Sequence, residues 1–424
     1  MSKDRITKLR VSGLRAIEDI ALNLNELTVL IGENGSGKSS IVEALEILRH
    51  AAAPSMLIND VIERRHGGLR TMLRHGAKQL RIEVWIDGAG PLLHYGFALE
   101  MLGAQPQIRE EFLDVYTVPD AREPLHVLIR QGSKVRVLHV SQRRLAPGSG
   151  NEDSAEESEQ VQVDSSSLAL PWQRMSPQPA IGRTIAALSA IEVHSPFETR
   201  ATWLQGELNL AQGARWPATV EIDSRLGRFG ANLPNTYQEI RNRGPEHWAH
   251  TLDMLRLGLG HDLRDVLVAP AGRGMLEIRL MFGALLDHHI PAEFLSEGQL
   301  AYLCFVALCA PGASRSLLVF DEPELHLHPA LVTRVTWLLE ESSRQAPVIV
   351  ATHSDQFLNS LHNPTSAVRV CELNASRATV IRCIAEDKLK EWLVDYSGFG
   401  DLRASGYADL VLESTDASAK EPKA

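Results

Sequence analysis

The apolar positions of this chain follow two rhythms. Three stretches, Leu27 to Ile31, Leu317 to Phe320 and Val348 to Ala351, run almost without polar interruption. That is the pattern of strands buried on both faces of a parallel sheet. Between them the spacing turns helical. Ile41, Ala44, Leu45 and Leu48 recur on one helix face after the first run. Residues 297–309 predict a second helix, with Ser296 as its N-cap and Gln299 three residues on, in capping-box spacing. Other segments alternate instead. Leu80 to Ile86 and Leu93 to Leu99 read as half-buried strands, and Leu125 to Arg130 with Val135 to Val140 flank Gln131-Gly132-Ser133 as a β-hairpin.

These rhythms divide the chain. Residues 1–141 predict a strand-rich half around the first helix. Residues 142–168, with Asn151 to Glu159 as an acidic centre, have too few apolar groups to offset ordering entropy and read as a disordered loop. Residues 169–270 read as a mainly helical insertion, punctuated by Ser195-Pro196-Phe197-Glu198 and by Phe229 to Pro234. Residues 271–411 return to strands alternating with helices, and 412–424 read as a disordered tail. The expected fold is α/β, a mixed N-terminal sheet beside a doubly wound, mostly parallel one. No heptad repeat is sustained, so a coiled-coil arm is not expected.

Composition narrows the function classes. Against 43 Lys+Arg stand 53 Asp+Glu, a formal charge of −10, which excludes a uniformly basic nucleic-acid coat but not a local stripe. Such a stripe is available in Arg64, Arg65, His66, Arg70, Arg74, His75, Lys78 and Arg81, although a solvated face explains it as well. The N-terminus lacks a signal-peptide core, and the longest apolar run, 300–310, is too short for a bilayer, so a cytoplasmic protein without membrane contact is expected. The four cysteines are unpatterned and suit packing. His326, His328 and the pair His288-His289 have no carboxylate or cysteine at ligand spacing.

The chemistry concentrates at the ends of the apolar runs. Gly32-Glu33-Asn34-Gly35-Ser36-Gly37-Lys38-Ser39 fits G-x-x-x-x-G-K-[ST] between a strand and a helix, the context of a phosphate-binding P-loop. Its backbone N–H groups, continuing to Ser40, form an anion nest; Lys38 reaches the β- and γ-phosphates, and Ser39 offers a hydroxyl to Mg²⁺. Asp321 and Glu322 end the second run, placed to hold Mg²⁺ and to activate water respectively. His353 ends the third run, where it can hydrogen-bond a γ-phosphate. Ser296, Gly298 and Gln299 open a helix start suited to an anion.

In this order the motifs resemble the ABC-type ATPase head, in the branch that includes SMC, RecF and OLD-like proteins. Gly32 to Ser39 matches the Walker A, Leu295 to Gln299 the signature, Leu317 to Glu322 the Walker B and His353 the switch histidine. Asp321 to Pro329 is similar to the Walker B and D-loop run of RecF- and OLD-like ATPases, and Leu9 to Ala16 to the opening strand and turn of that branch. Gly230 to Leu233 and Glu391 to Tyr396 look like the bacterial ATPases grouped as AAA_21. Glu297 departs from the signature by replacing its first glycine, and no glutamine within 75–110 takes the Q-loop position. No Toprim-like acidic domain is visible, so a self-contained nuclease is not expected. The resemblance implies a slow ATPase using ATP and Mg²⁺, acting as an ATP-dependent homodimer in which the signature of one chain faces the nucleotide of the other. It leaves the load open: DNA, in repair or anti-phage defence, or a separately encoded effector such as a nuclease or toxin. A transporter's nucleotide-binding subunit fits the motifs less well.

Overall fold

The three uninterrupted apolar runs lie side by side in one six-stranded sheet. Its order is Ile191–His194, Leu317–Asp321, Val348–Thr352, Leu27–Gly32, Val368–Leu373 and Thr379–Cys383, parallel except for the last strand. The strand ending in His353 therefore separates the P-loop strand from the Asp321 strand. The computed structural model describes all residues except 1–3, 25, 117–123, 140–156, 175, 177, 201–212, 222–224, 284–288, 311, 313, 395 and 414–424.

Alternation along these strands builds two cores. Leu30, Leu317, Val319, Ile349 and Ala351 point to one face, where helix Lys38–His50 buries Ile41, Ala44, Leu45 and Leu48 and helix Pro179–Ser189 packs beside it. Val29, Ile31, Leu318, Phe320, Val348 and Val350 point to the other. That face carries helices Glu297–Cys309 and Pro329–Ser343. Residues 300–308 are all buried, because helices and sheet enclose them on every side.

The first core is closed by an eight-stranded sheet in the order Ile17–Asn23, Arg5–Leu14, Gln79–Asp87, Leu92–Leu102, Gln105–Tyr116, Leu125–Gln131, Lys134–His139 and Glu157–Gln162. Every pair in it is antiparallel, where a mixed sheet was expected. Most of its neighbours follow one another through tight turns, which permit only antiparallel pairing. On the second core, Met275–Phe282 pairs with Leu263–Gly272 along one edge and with Ala218–Thr219 and His289–Pro291 along the other.

Two boundaries differ from the sequence expectation. The acidic segment read as disordered to 168 contains the strand Glu157–Gln162, which pairs with Lys134–His139 through its backbone and needs few apolar side chains to do so; after it Val163, Ser167 and Leu168 are buried, and residues 142–156 lie outside the described residues. The stretch read as a helical insertion also supplies Ile191–His194 to the central sheet. Glu192 interrupts its apolar pattern, but Arg315, 3.4 Å away, balances that charge inside the fold.

Candidate active site

Parallel pairing brings three strand ends to within two residues of one level. Asp321 is in register with Ala351, Ala351 with Leu30, and Leu30 with Arg369. The P-loop, the acidic pair and His353 thus emerge together at the carboxyl edge, where open parallel sheets bind ligands.

The P-loop is braced from behind by the hairpin of Val368–Leu373 and Thr379–Cys383. Thr379 Oγ1 donates to the carbonyl of Ser36 at 3.0 Å. Gly37 has φ +104°, and a Cβ there would lie 2.3 Å from that hydroxyl. Gly32 is as crowded, with the Cys371 carbonyl 2.1 Å from any Cβ. Lys38 is buried, and its ammonium donates to the carbonyls of Gly32 and Glu33 at 2.8 and 2.9 Å. Burial lowers its pKa below the ordinary lysine value, while Asp321 and Glu322 pull it back up. Ser39 is exposed and Ser40 buried at the first turn of the helix. Glu33, Asn34 and Gly35 are exposed, and the Ser36 hydroxyl is buried without a partner among the described residues. An open groove of about 700 Å³ runs from this loop to Asp355 and Arg403.

Burial and the adjacent Glu322 push the Asp321 carboxyl up to about 6, against the pull of Lys38. Glu322 adopts φ +53°, unusual for a residue with a side chain, and its N–H is tied to the Ala351 carbonyl at 2.7 Å. His353 Nε2 stands 3.9 Å from Glu322 Oε1. These oxygen donors fit Mg²⁺: one carboxylate short of positive charge and one exposed hydroxyl, with the phosphates as further ligands. Among the described residues no three His, Cys, Asp or Glu side chains cluster as a self-sufficient metal site.

Ser296 caps helix Glu297–Cys309 as expected: Gln299 N–H donates to Ser296 Oγ at 3.2 Å, and Ser296 N–H donates to Gln299 Oε1 at 3.0 Å. Gln299 is thus engaged within the cap. Arg215 holds the approach to this helix by donating to the carbonyls of Glu293 and Leu295, both at 2.7 Å. The structure does not bring Ser296, Gly298 and Gln299 to Lys38, because their helices pack on opposite faces of the sheet.

Sequence reasoning missed other neighbours. His194 is in register with Phe320, so Ser195 follows at the level of Asp321. Arg228 donates to Ser195 Oγ at 3.1 Å, approaches Glu46 Oε1 at 3.4 Å and acts electrostatically on Asp321. Burial alone would raise the Glu46 carboxyl, but His50, Arg49 and Arg228 hold it at about 2. Arg228 was hidden in a turn whose only legible signals were Gly230 and Pro234. The basic stretch is largely committed within the chain. Arg65 meets His50 at 2.9 Å, His66 meets Glu43 at 2.9 Å, Arg81 meets Glu83 at 2.7 Å, and Arg74 donates to the carbonyls of Ala16, Ser376 and Arg377.

Comparison with known proteins bears on the same segments. Residues 5–88, which hold the P-loop, match the family model described as "AAA ATPase domain". Residues 214–359, which hold Ser296, Asp321, Glu322 and His353, match AAA_21, described as "AAA domain, putative AbiEii toxin, Type IV TA system". Both segments of the candidate site thus match ATPase family models, in line with the resemblance to an ABC-type ATPase head. The AAA_21 match stops short of Glu391 to Tyr396. The head is 37% identical over 81 residues to the Old nuclease of Escherichia phage P2, 18% of this chain and 13% of that protein. It thus spans about an eighth of the length of that curated relative. Solved structures similar to the head include an SMC head bound to the C-terminal winged-helix domain of ScpA (TM-score 0.48, 15% identity, covering 91% of this chain and 99% of the other). The SMC head domain from Thermotoga maritima has TM-score 0.44 and 13% identity, covering 90% and 99%.

Two outcomes test this geometry. Gly37→Ala forces a Cβ against Thr379 in a left-handed backbone, and lowers ATP affinity by at least about tenfold in calorimetric titration; unchanged affinity contradicts the brace. For Asp321 the folded pKa of about 6 lies above its ordinary 3.8, so ionising it in the fold costs stability as pH rises through 6. Asp321→Asn therefore raises the melting temperature of the metal- and nucleotide-free protein at pH 8, and the gain vanishes near pH 4. A gain independent of pH rules this out.

Proposed function

We propose that the head works as a slow, ATP-dependent homodimer switch, in which each nucleotide lies between the P-loop of one chain and the signature helix of the other. The observation that carries this reading is the separation of Lys38 and Ser296 on opposite faces of one sheet. A second chain supplies the missing half. Lys38 exchanges its two loop carbonyls for phosphate oxygens, at little desolvation cost because it is already buried. Ser39 and Asp321 hold Mg²⁺, which when bound neutralises charge developing on the phosphates. Glu322 orients water and takes its proton as the water attacks the γ-phosphorus, releasing ADP and phosphate. His353 hydrogen-bonds the γ-phosphate and loses that partner on hydrolysis. Ser296 and Gly298 offer a hydroxyl and helix N–H groups to the same phosphate from across the interface. Closure thus depends on the γ-phosphate, and its loss reopens the pair. A rate limited by assembly is slow.

For the load, one reading is DNA, in repair or anti-phage defence; the partial kinship with a phage nuclease supports it. The alternative is control of a separately encoded effector, a nuclease or toxin, in the cytoplasm. The commitment of Arg65, His66, Arg74 and Arg81 to partners within the chain favours the alternative. So does the AAA_21 description, which names a "putative AbiEii toxin". Among the described residues no helix is long and apolar enough to cross a membrane.

Glu322→Gln, which binds but does not hydrolyse, accumulates as a dimer with ATP and Mg²⁺ in multi-angle light scattering and stays monomeric with ADP. A variant that remains monomeric with ATP contradicts the composite site.

A further inference from the structure

Residues 322–328 form one loop that touches both halves of the machinery, and a carboxylate holds each end. At one end Glu324 Oε1 accepts hydrogen bonds from Thr352 Oγ1 at 2.6 Å and from the N–H of His353 at 3.0 Å. Its second oxygen is buried with no partner among the described residues, so the side chain has no competing attachment. At the other end His326 Nδ1 lies 3.1 Å from Glu297 Oε2 in the first turn of the signature helix. The His326 carbonyl would sit 3.3 Å from a Cβ on Gly298, so loop and helix touch through backbone as well. The loop around these anchors is stiff. Pro323 is buried, and Glu322 and His326 hold φ of +53° and +66°. Non-glycine residues enter that region under strain and stay only where their surroundings enforce it.

We infer that Glu324 and Glu297 are positioning residues that turn loop 322–328 into a rigid link, so that His353 and Ser296 of one chain move as a unit. Glu297, the residue that departs from the signature pattern, has here a task that glycine cannot perform. Its carboxylate at a helix N-terminus is also favoured by the helix dipole. The consequence rests on the two-head reading. His353 attends its own chain's nucleotide and Ser296 attends the partner's, so the link carries the state of one site to the other.

The test compares Glu324→Ala, Glu324→Gln, Glu297→Ala and the double alanine variant in steady-state ATPase assays and ATP-binding titrations. The link predicts that Glu324→Ala lowers kcat by about 10- to 100-fold, the scale of a slightly misplaced catalytic group, with ATP affinity within about twofold. Glu324→Gln keeps an oxygen for both donors and recovers most of the rate. Glu297→Ala lowers the Hill coefficient of hydrolysis towards one at unchanged affinity, and the double variant is no slower than Glu324→Ala, since both act through one loop. Equal loss in Gln and Ala, affinity falling in step with kcat, or multiplicative effects in the double variant overturns the link. A wild-type rate per head independent of protein concentration removes the two-head reading instead, and the Ala-to-Gln comparison still decides the role of Glu324.

Discussion

The site depends on the register of a parallel sheet. Asp321, Ala351 and Leu30 share one rung, so the chain leaves three strands within two residues of the same height and its functional groups gather without any long loop having to reach for another. The side chains beneath that rung enforce it. A slip by one residue would send Leu317 and Val319 into the wrong core and Leu318 and Phe320 into the other.

The same alternation that stabilises the sheet divides the labour. One face receives the P-loop helix and the other the helix capped by Ser296, so the two sets of candidate residues face apart; in the proposed switch each is half of a site. What the chain keeps to itself is charge in tension. Lys38 is buried on carbonyls, Asp321 is pushed up to about 6, and Glu322 is held in a left-handed backbone. Each is a departure from the relaxed state that nucleotide and metal would relieve, as expected where a fold serves chemistry rather than stability alone.

Local features of this design were legible in the sequence. The P-loop, the Ser296–Gln299 capping box and the three buried strands each carry their pattern within a few consecutive residues, so spacing alone revealed them. The edge strand Ile191–His194 was not legible, because Glu192 breaks its apolar run and its balancing Arg315 lies far along the chain. Nor was Arg228, whose contacts with Ser195 and Glu46 span more than thirty and about 180 positions respectively. Glu324 could be read as part of an acidic run, but its grip on Thr352 and His353 appears only when the two strands are laid side by side. Polarity in a sequence marks a side chain; only the fold names its partner.

The central claim is that two chains complete each other's sites, and complementation tests it most directly. Lys38→Ala removes the P-loop half and Ser296→Arg the signature half, so each variant alone is inactive. Mixed in equal amounts, they form heterodimers with one intact composite site, and ATPase activity returns to about a quarter of the wild-type rate per head. A mixture no more active than the separate variants would contradict the account.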